Sequence, residues 1–415
     1  MQINPKINFT QNLKLILVTV ATFLLAGLVL FAERYVGNSG SITKLFLSEN
    51  GDKTFLKINE SNDEQDIDQE KETKVDYKIQ EIAKNLDVPW SIAFTSETRT
   101  LVTERTGSIR VLENTILKSQ PLITINDVVT GDEEGLMGLT VDPDYKNNKY
   151  LYTCYAYLEE NKMFDKVLRL IDNSSNASID KVLIDKIPAA KYHAGCRLKF
   201  GPDGKLYITT GDALNKDQAQ NLEYLGGKIL RIESDGSIPE DNPFKTSPVY
   251  SYGHRNPQGI DWNKTTGMMV STEHGPSGID GPGGGDEINI IKSGKNYGWP
   301  LVSHEKTLSG TESPKLVFTP AVAPASALIY SGKLFPQFKD KLFFGGLKGE
   351  GIFVVSFSEK DPEKVETFLK LKNINFGRIR EIVESPAGEI WFTTSNTDGR
   401  GNVRAGDDKI YRFSL

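Results

Sequence analysis

A loose repeat constrains this chain more than any other feature of its sequence. From Val75 onward one unit recurs: an apolar strand, a turn with Gly, Asp or Asn, then further strands that end in small or polar residues. The copies open on PWSIAF, GLMGLTVDPDY, CRLKFGPDG, PQGIDWNKTTG, ASALIYSGKLFP and RIREIVESPAGE. Six copies over residues 75–415 give a period of roughly 57 residues, close to that of propeller blades. Period-2 alternation in KLYITT and KIYRFSL is what a strand with one buried face requires, and no long helical pattern intervenes. One unit cannot cover its own apolar faces, so six close most naturally into a ring. The expectation is an all-β fold, a six-bladed β-propeller over 75–415. YKIQEIAKNL at its start is expected to supply a strand to the last blade and latch the circle.

Two different segments precede the ring. Leu15 to Ala32 is an uncharged apolar run, long enough as a helix to cross most of a roughly 30 Å hydrocarbon core. It is read as a transmembrane helix over about 13–32 within an N-terminal region 1–32. Lys6 and Lys14 before it favour a cytoplasmic N-terminus, with the main body outside the cell membrane on a single-pass anchor. A cleaved signal peptide is the rival reading. Residues 33–74 are polar, acidic and poor in aromatics, the composition of a flexible linker. Asn59 to Lys74 alone holds seven acids and two lysines, a net of −5 within the chain's −6. The remainder is near neutral, with no basic run, which argues against a nucleic-acid partner. Cys154 and Cys196 are the only cysteines. They either pair as one disulfide or stay as two buried thiols, and they cannot make a zinc site.

In a propeller, the loops after inner strands converge on one end of the central channel. Polar residues crowd those places. His193 and Asp212 stand at the two ends of one hairpin, where a carboxylate can fix the tautomer of a general base. Taken alone, such a histidine is more often structural. Lys348, Arg255, Arg378 and Arg380 come from different blades. Inward-facing cations repel unless an anion sits among them or each pairs with a local carboxylate such as Glu381 or Glu350. The Gly- and Pro-rich stretch from Gly275 to Gly285 leaves carbonyls free. With Asp286 and Glu287 it makes an all-oxygen environment that suits Ca²⁺ better than Zn²⁺, against the plainer reading of a flexible loop.

The motifs HAGCRLKFGPDGKLYITTGD, GGKILRIESDGSIPEDNPF, YGHRNPQGIDW, DEINIIKSGKNYGWP and GRIREIVESPAGEIWF occur in that order. Together they resemble the glucose/sorbosone dehydrogenase family, whose members include soluble glucose dehydrogenase and the aldose sugar dehydrogenases that use pyrroloquinoline quinone. The resemblance runs from about Leu86 to the C-terminus and implies a six-bladed propeller. It makes His193 the general base, Asp212 the acid that orients it, and Arg255 the cation beside the quinone oxygen. Glu133, Asn256, Lys348, Arg378 and Arg380 fall at cofactor-contacting positions. The carbonyls of Gly275 and Pro276 match ligands of a Ca²⁺ that polarises the quinone, and Glu287 and Tyr297 match a second, structural Ca²⁺ site. Three departures stand out. EEGLMG puts Glu133 where many relatives have Gln; His274 replaces a common Gln; and FTPAVAP lacks the Trp and Thr found over the cofactor in soluble glucose dehydrogenase.

The reading is a membrane-tethered, extracytoplasmic dehydrogenase that oxidises aldose sugars at C1 to lactones. Its electrons would pass to a quinone or small redox protein. Two rivals remain: a Ca²⁺-dependent propeller lactone hydrolase, and a non-catalytic binding propeller.

Overall fold

Each of the six repeats forms its own antiparallel sheet in the computed structural model, which describes residues 44–47, 53–57 and 77–415. Blade one runs from Pro89–Phe94 through Arg99–Glu104 to Ser108–Glu113, with two short strands beyond. Blade two is Leu136–Val141, Tyr150–Glu159, Lys162–Asp172 and Ala177–Pro188; blade three is Leu198–Phe200, Leu206–Thr210, Lys228–Ile232 and Val249–Tyr252. Blade four comprises Pro257–Trp262, Met269–Glu273, Asp286–Ile291 and Leu316–Phe318. Blade five is Pro324–Ile329, Leu342–Gly346, Gly351–Phe357 and Val365–Lys370. Blade six takes Ile379–Glu384, Ile390–Thr394 and Ile410–Ser414 from the C-terminal end and Lys78–Ala83 from the start of the ring. The register Phe413↔Ile79 and Ile410↔Ala83 is the expected latch.

The ring closes because blades bury apolar faces against each other. Six apolar layers lie one between each neighbouring pair, from Leu139 and Leu151 between blades one and two to Ile92, Val102 and Trp391 between blades one and six. Beneath the site the channel is plugged rather than open. Arg197 from blade three reaches Glu381 of blade six at 2.6 Å, and Glu381 also accepts a hydrogen bond from Ser91 of blade one at 2.9 Å. The Arg197 guanidinium lies 4.0 Å from the ring centre of buried Trp90, a cation–π contact in a dry environment.

The helix expected over about 13–32 lies outside the described residues, as does most of the 33–74 segment. Among the described residues no helix is long and apolar enough to cross a membrane. Part of the expected linker is structured. Lys44–Leu47 and Lys53–Lys57 pair as an antiparallel hairpin, and the second extends blade four by pairing Leu56↔Phe318. KLFL and KTFLK flanking Asn50-Gly51 carry a hairpin pattern that the acidic run after Asn59 obscures when composition is averaged.

Candidate active site

A cavity of about 1040 Å³ opens where the blade loops meet. His193 and Asp212 line it together because their hairpin leaves them on adjacent chain ends. The imidazole Nδ1 lies 2.6 Å from Asp212 Oδ1, with both side chains buried. A carboxylate acceptor there places the ring proton on Nδ1 and leaves the Nε2 lone pair for a substrate. The approach is close enough that a Cβ at Gly211 would run into the His193 carbonyl, so only glycine fits before Asp212. The Asp212 N–H donates to the Arg255 carbonyl at 2.8 Å, which ties the base's partner to the next functional group.

Trp299 escaped the sequence reading. Its Nε1–H donates to Asp212 Oδ2 at 2.8 Å, so each Asp212 oxygen has a separate partner. The same indole lies under the Arg255 guanidinium, 5.7 Å from ring centre to charge. Arg255 is held in turn by Asp280 at 2.7 Å and by the His274 carbonyl at 3.2 Å. Trp299 lies in the motif DEINIIKSGKNYGWP, which carries the resemblance to the family without marking the indole.

Lys348, Arg378 and Arg380 all reach the cavity. The arginines do not pair with Glu381 or Glu350: Glu381 is committed to Arg197 across the channel. Both instead share the single carboxylate of Asp398, at 2.7 Å for Arg378 and 3.4 Å for Arg380. Burial, then the nearby Arg378 and Arg105 charges, pull Arg380 down to about 10 against the pull of Asp398. Lys348 is exposed, and no side-chain partner for it is found among the described residues. One carboxylate serving two arginines beside a free lysine leaves this wall cation-rich, which suits a polyanionic ligand.

Glu133 is offset locally. Its carboxylate accepts the His193 N–H at 2.9 Å and meets Arg400 at 3.1 Å, a cation from the blade-six loop that sequence inspection did not single out. Burial opposes ionisation of Glu133, but the Arg400 charge and the His193 amide hold its carboxyl below the usual range. His274 is itself neutral: burial, with Arg255 and Arg380 nearby, takes it down to about 3.

The glycine-rich loop is pinned, not loose. Asp286 accepts the Gly275 N–H at 2.8 Å and the Val322 and Ala323 N–H groups at 2.7 and 2.6 Å, so its carboxylate is spent on holding loops. A Cβ at Gly275 would collide with the Gly284 and Gly285 carbonyls. Gly275 and Pro276 line the cavity. Asn256 lies behind that lining, fully buried, with its Nδ2 donor unpartnered, as is His274 Nε2. Orphaned groups beside a cation-rich wall fit an acidic, oxygen-rich cofactor.

Glu287 and Tyr297 stand apart from the cavity. Glu287 faces Glu273 across two strands, and burial and that neighbouring carboxyl push it up to about 8. Asn289 beside them has an unpartnered Oδ1. Two carboxyls and an amide oxygen in one buried spot suit a hard cation. The Tyr297 ring stacks on His254, 4.6 Å between centres, and its hydroxyl is used by Ile290 and Lys292 backbone, leaving only its carbonyl for such an ion. Ser251, His254 and Glu273 are linked at 2.8 and 2.9 Å like a hydrolytic triad, yet all three are buried and none lines the cavity.

Fold and site together define a six-bladed propeller with a polar, cation-rich cavity at the channel mouth. The sequence pattern of the Glucose / Sorbosone dehydrogenase family matches residues 86–405. The chain belongs to that family of oxidoreductases. It is 30% identical to an aldose sugar dehydrogenase of Escherichia coli over 77% of this chain and 91% of that one. It is 28% identical to quinoprotein glucose dehydrogenase B of Acinetobacter calcoaceticus, covering 79% and 87%. The solved structure of the PQQ-bound aldose sugar dehydrogenase of Streptomyces coelicolor superposes with a TM-score of 0.72 at 28% identity, covering 82% and 98%.

Proposed function

We propose that this protein oxidises aldose sugars at C1 to lactones, with pyrroloquinoline quinone and Ca²⁺ as its cofactors. The observation that carries this reading is the opening of the His193–Asp212 pair and the Lys348, Arg378 and Arg380 wall onto one cavity. When bound, the quinone supplies the acceptor for the hydride leaving C1, and the Ca²⁺ raises its electrophilicity. Lys348, Arg378 and Arg380 hold the cofactor carboxylates, with Glu133 and Asn256 in contact. The Gly275 and Pro276 carbonyls hold the catalytic Ca²⁺, and Glu287 and the Tyr297 carbonyl hold a structural one. His193 takes the anomeric hydroxyl proton at Nε2, and Asp212 stabilises the imidazolium that results. Arg255 offers positive charge where negative charge develops.

The segment FTPAVAP contributes only Pro320, Ala321 and Ala323 to the cavity wall, which supports acceptance of several aldoses rather than glucose alone. The Cys154–Cys196 disulfide supports an oxidising compartment. With the apolar run Leu15 to Ala32, it underlies the proposal of a membrane-anchored, extracytoplasmic enzyme that passes electrons to a quinone or small redox protein.

The test is reconstitution. Apo-protein given the quinone and Ca²⁺ is expected to reduce an artificial dye when aldoses are added. His193→Ala is expected to lose about 10³-fold or more in kcat while still binding the quinone. Unchanged turnover in that variant sinks the mechanism.

A further inference from the structure

The two cysteines found no role in the proposed reaction, yet one lies three residues from its base. Cys154 sits mid-strand in blade two, and Cys196 lies between His193 and the first strand of blade three. They are joined as a disulfide across the blade interface, with Cα atoms 5.8 Å apart and both residues buried. The bond therefore ties the chain that carries His193 to a neighbouring sheet.

That chain needs holding. Three of the four residues from His193 to Cys196 have positive φ: 58° at His193, 65° at Gly195 and 71° at Cys196. A left-handed backbone carries a steric cost for any residue with a Cβ, and two such residues this close persist only when their surroundings over-determine them. Three hydrogen bonds contribute. His193 N–H donates to Glu133 Oε2, Gly195 N–H to Asn256 Oδ1 at 3.2 Å, and Cys196 N–H to the Thr209 carbonyl at 2.6 Å. Two of those acceptors, Glu133 and Asn256, are themselves assigned to the cofactor site, so those bonds are not anchored independently of it. The Thr209 bond lies within blade three. The disulfide alone is both covalent and anchored in the blade-two sheet.

We propose that the Cys154–Cys196 disulfide is a positioning element for His193, holding the left-handed turn so that the imidazole stays aligned on Asp212 during turnover. This rests on the function proposed above. Neither cysteine lines the cavity, so both act as positioning residues. The cationic wall belongs to blades five and six, on other sheets, so the brace acts on the base and not on cofactor affinity.

The experiment compares the full chain with the Cys154→Ser/Cys196→Ser double variant. Cys154→Ser alone is measured in parallel, so that a folding failure of the double variant still leaves a readable protein. Loaded with quinone and Ca²⁺, either variant is expected to lose about 10- to 100-fold in kcat, the scale of a base displaced by about 1 Å. The quinone Kd and sugar KM are expected to stay within about threefold. Amide hydrogen exchange at residues 193–196 in the unloaded variants is expected to speed up about tenfold or more, with residues 378–380 unchanged. A kcat within twofold of the parent overturns the proposal, as does a parallel loss of kcat and quinone affinity. Unchanged exchange at 193–196 overturns it regardless of activity. If the parent oxidises no aldose, the proposed function fails instead, and the exchange measurement still reads the brace.

Discussion

At the scale of single residues, the site is a set of short hydrogen-bonded chains. Trp299 holds Asp212, Asp212 holds His193, and the same indole supports Arg255. Trp299→Phe keeps a ring beneath the arginine but removes the N–H. We expect kcat to fall by about tenfold with quinone Kd nearly unchanged, measured by stopped-flow and by fluorescence titration. Lys228 has no catalytic part. Its ammonium is buried beneath blade three and donates to the Gln218, Gly226 and Ala219 carbonyls at 2.7, 2.7 and 3.1 Å. Burial pushes it down to about 7. An unfolded lysine titrates near about 10.4. Between about pH 7 and about pH 10 the unfolded state therefore holds a proton that the folded state has released. Stability from this group rises with pH across that window and is flat below it. Lys228→Met should flatten that rise and, by orphaning the carbonyls, lower stability at every pH. Urea unfolding at about pH 7.5 and about pH 9.5 checks both.

At the scale of elements, legibility differed by how local each arrangement is. The His193–Asp212 pair was visible because both residues sit on one hairpin, where spacing along the chain decides proximity. Arg378 and Arg380 were visible as a same-face pair for a similar reason. Their partner was not. Asp398 lies on the loop after the next strand, and nothing in the one-dimensional pattern ranks it above Glu381, which is next to Arg380 but points across the channel to Arg197. The loop of Gly275 to Gly285 read as irregular, and only the structure shows Asp286 fastening it. Burial opposes ionisation of Asp398, but Arg380 and Arg378 outweigh it and hold its carboxyl below the usual range. Asp398→Asn would leave two buried arginines without a countercharge. We expect the apo-protein to lose about 3–5 kcal/mol of stability. Added quinone should restore more of its melting temperature than it adds to the parent's, because the ligand's carboxylates replace the missing one. A smaller quinone-induced shift in the variant than in the parent would count against the cationic wall as the carboxylate site.

At the scale of the whole molecule, stability depends on closing the circle. Blade six is completed by Lys78–Ala83, more than three hundred residues before its partner strand. A chain starting at Tyr77 should unfold in one cooperative transition by circular dichroism. A chain starting at Leu86 lacks the latch, leaves the edge of Ile410–Ser414 unpaired and should lose that cooperativity or aggregate.

The repeat, its blade boundaries and the latch were determined by sequence alone, because period-2 burial and tight turns are local demands that each segment must satisfy for itself. The class of chemistry came from the resemblance of the motifs at those blade ends to the glucose/sorbosone dehydrogenase family, since residue types alone left His193 more often structural. Only the tertiary structure decided which charge answers which, that Arg400 offsets Glu133, that Trp299 backs Asp212, and that the two cysteines are joined. Those pairings cross from blade to blade through a ring, and ring closure brings together residues whose separation along the chain carries no information about their distance in space.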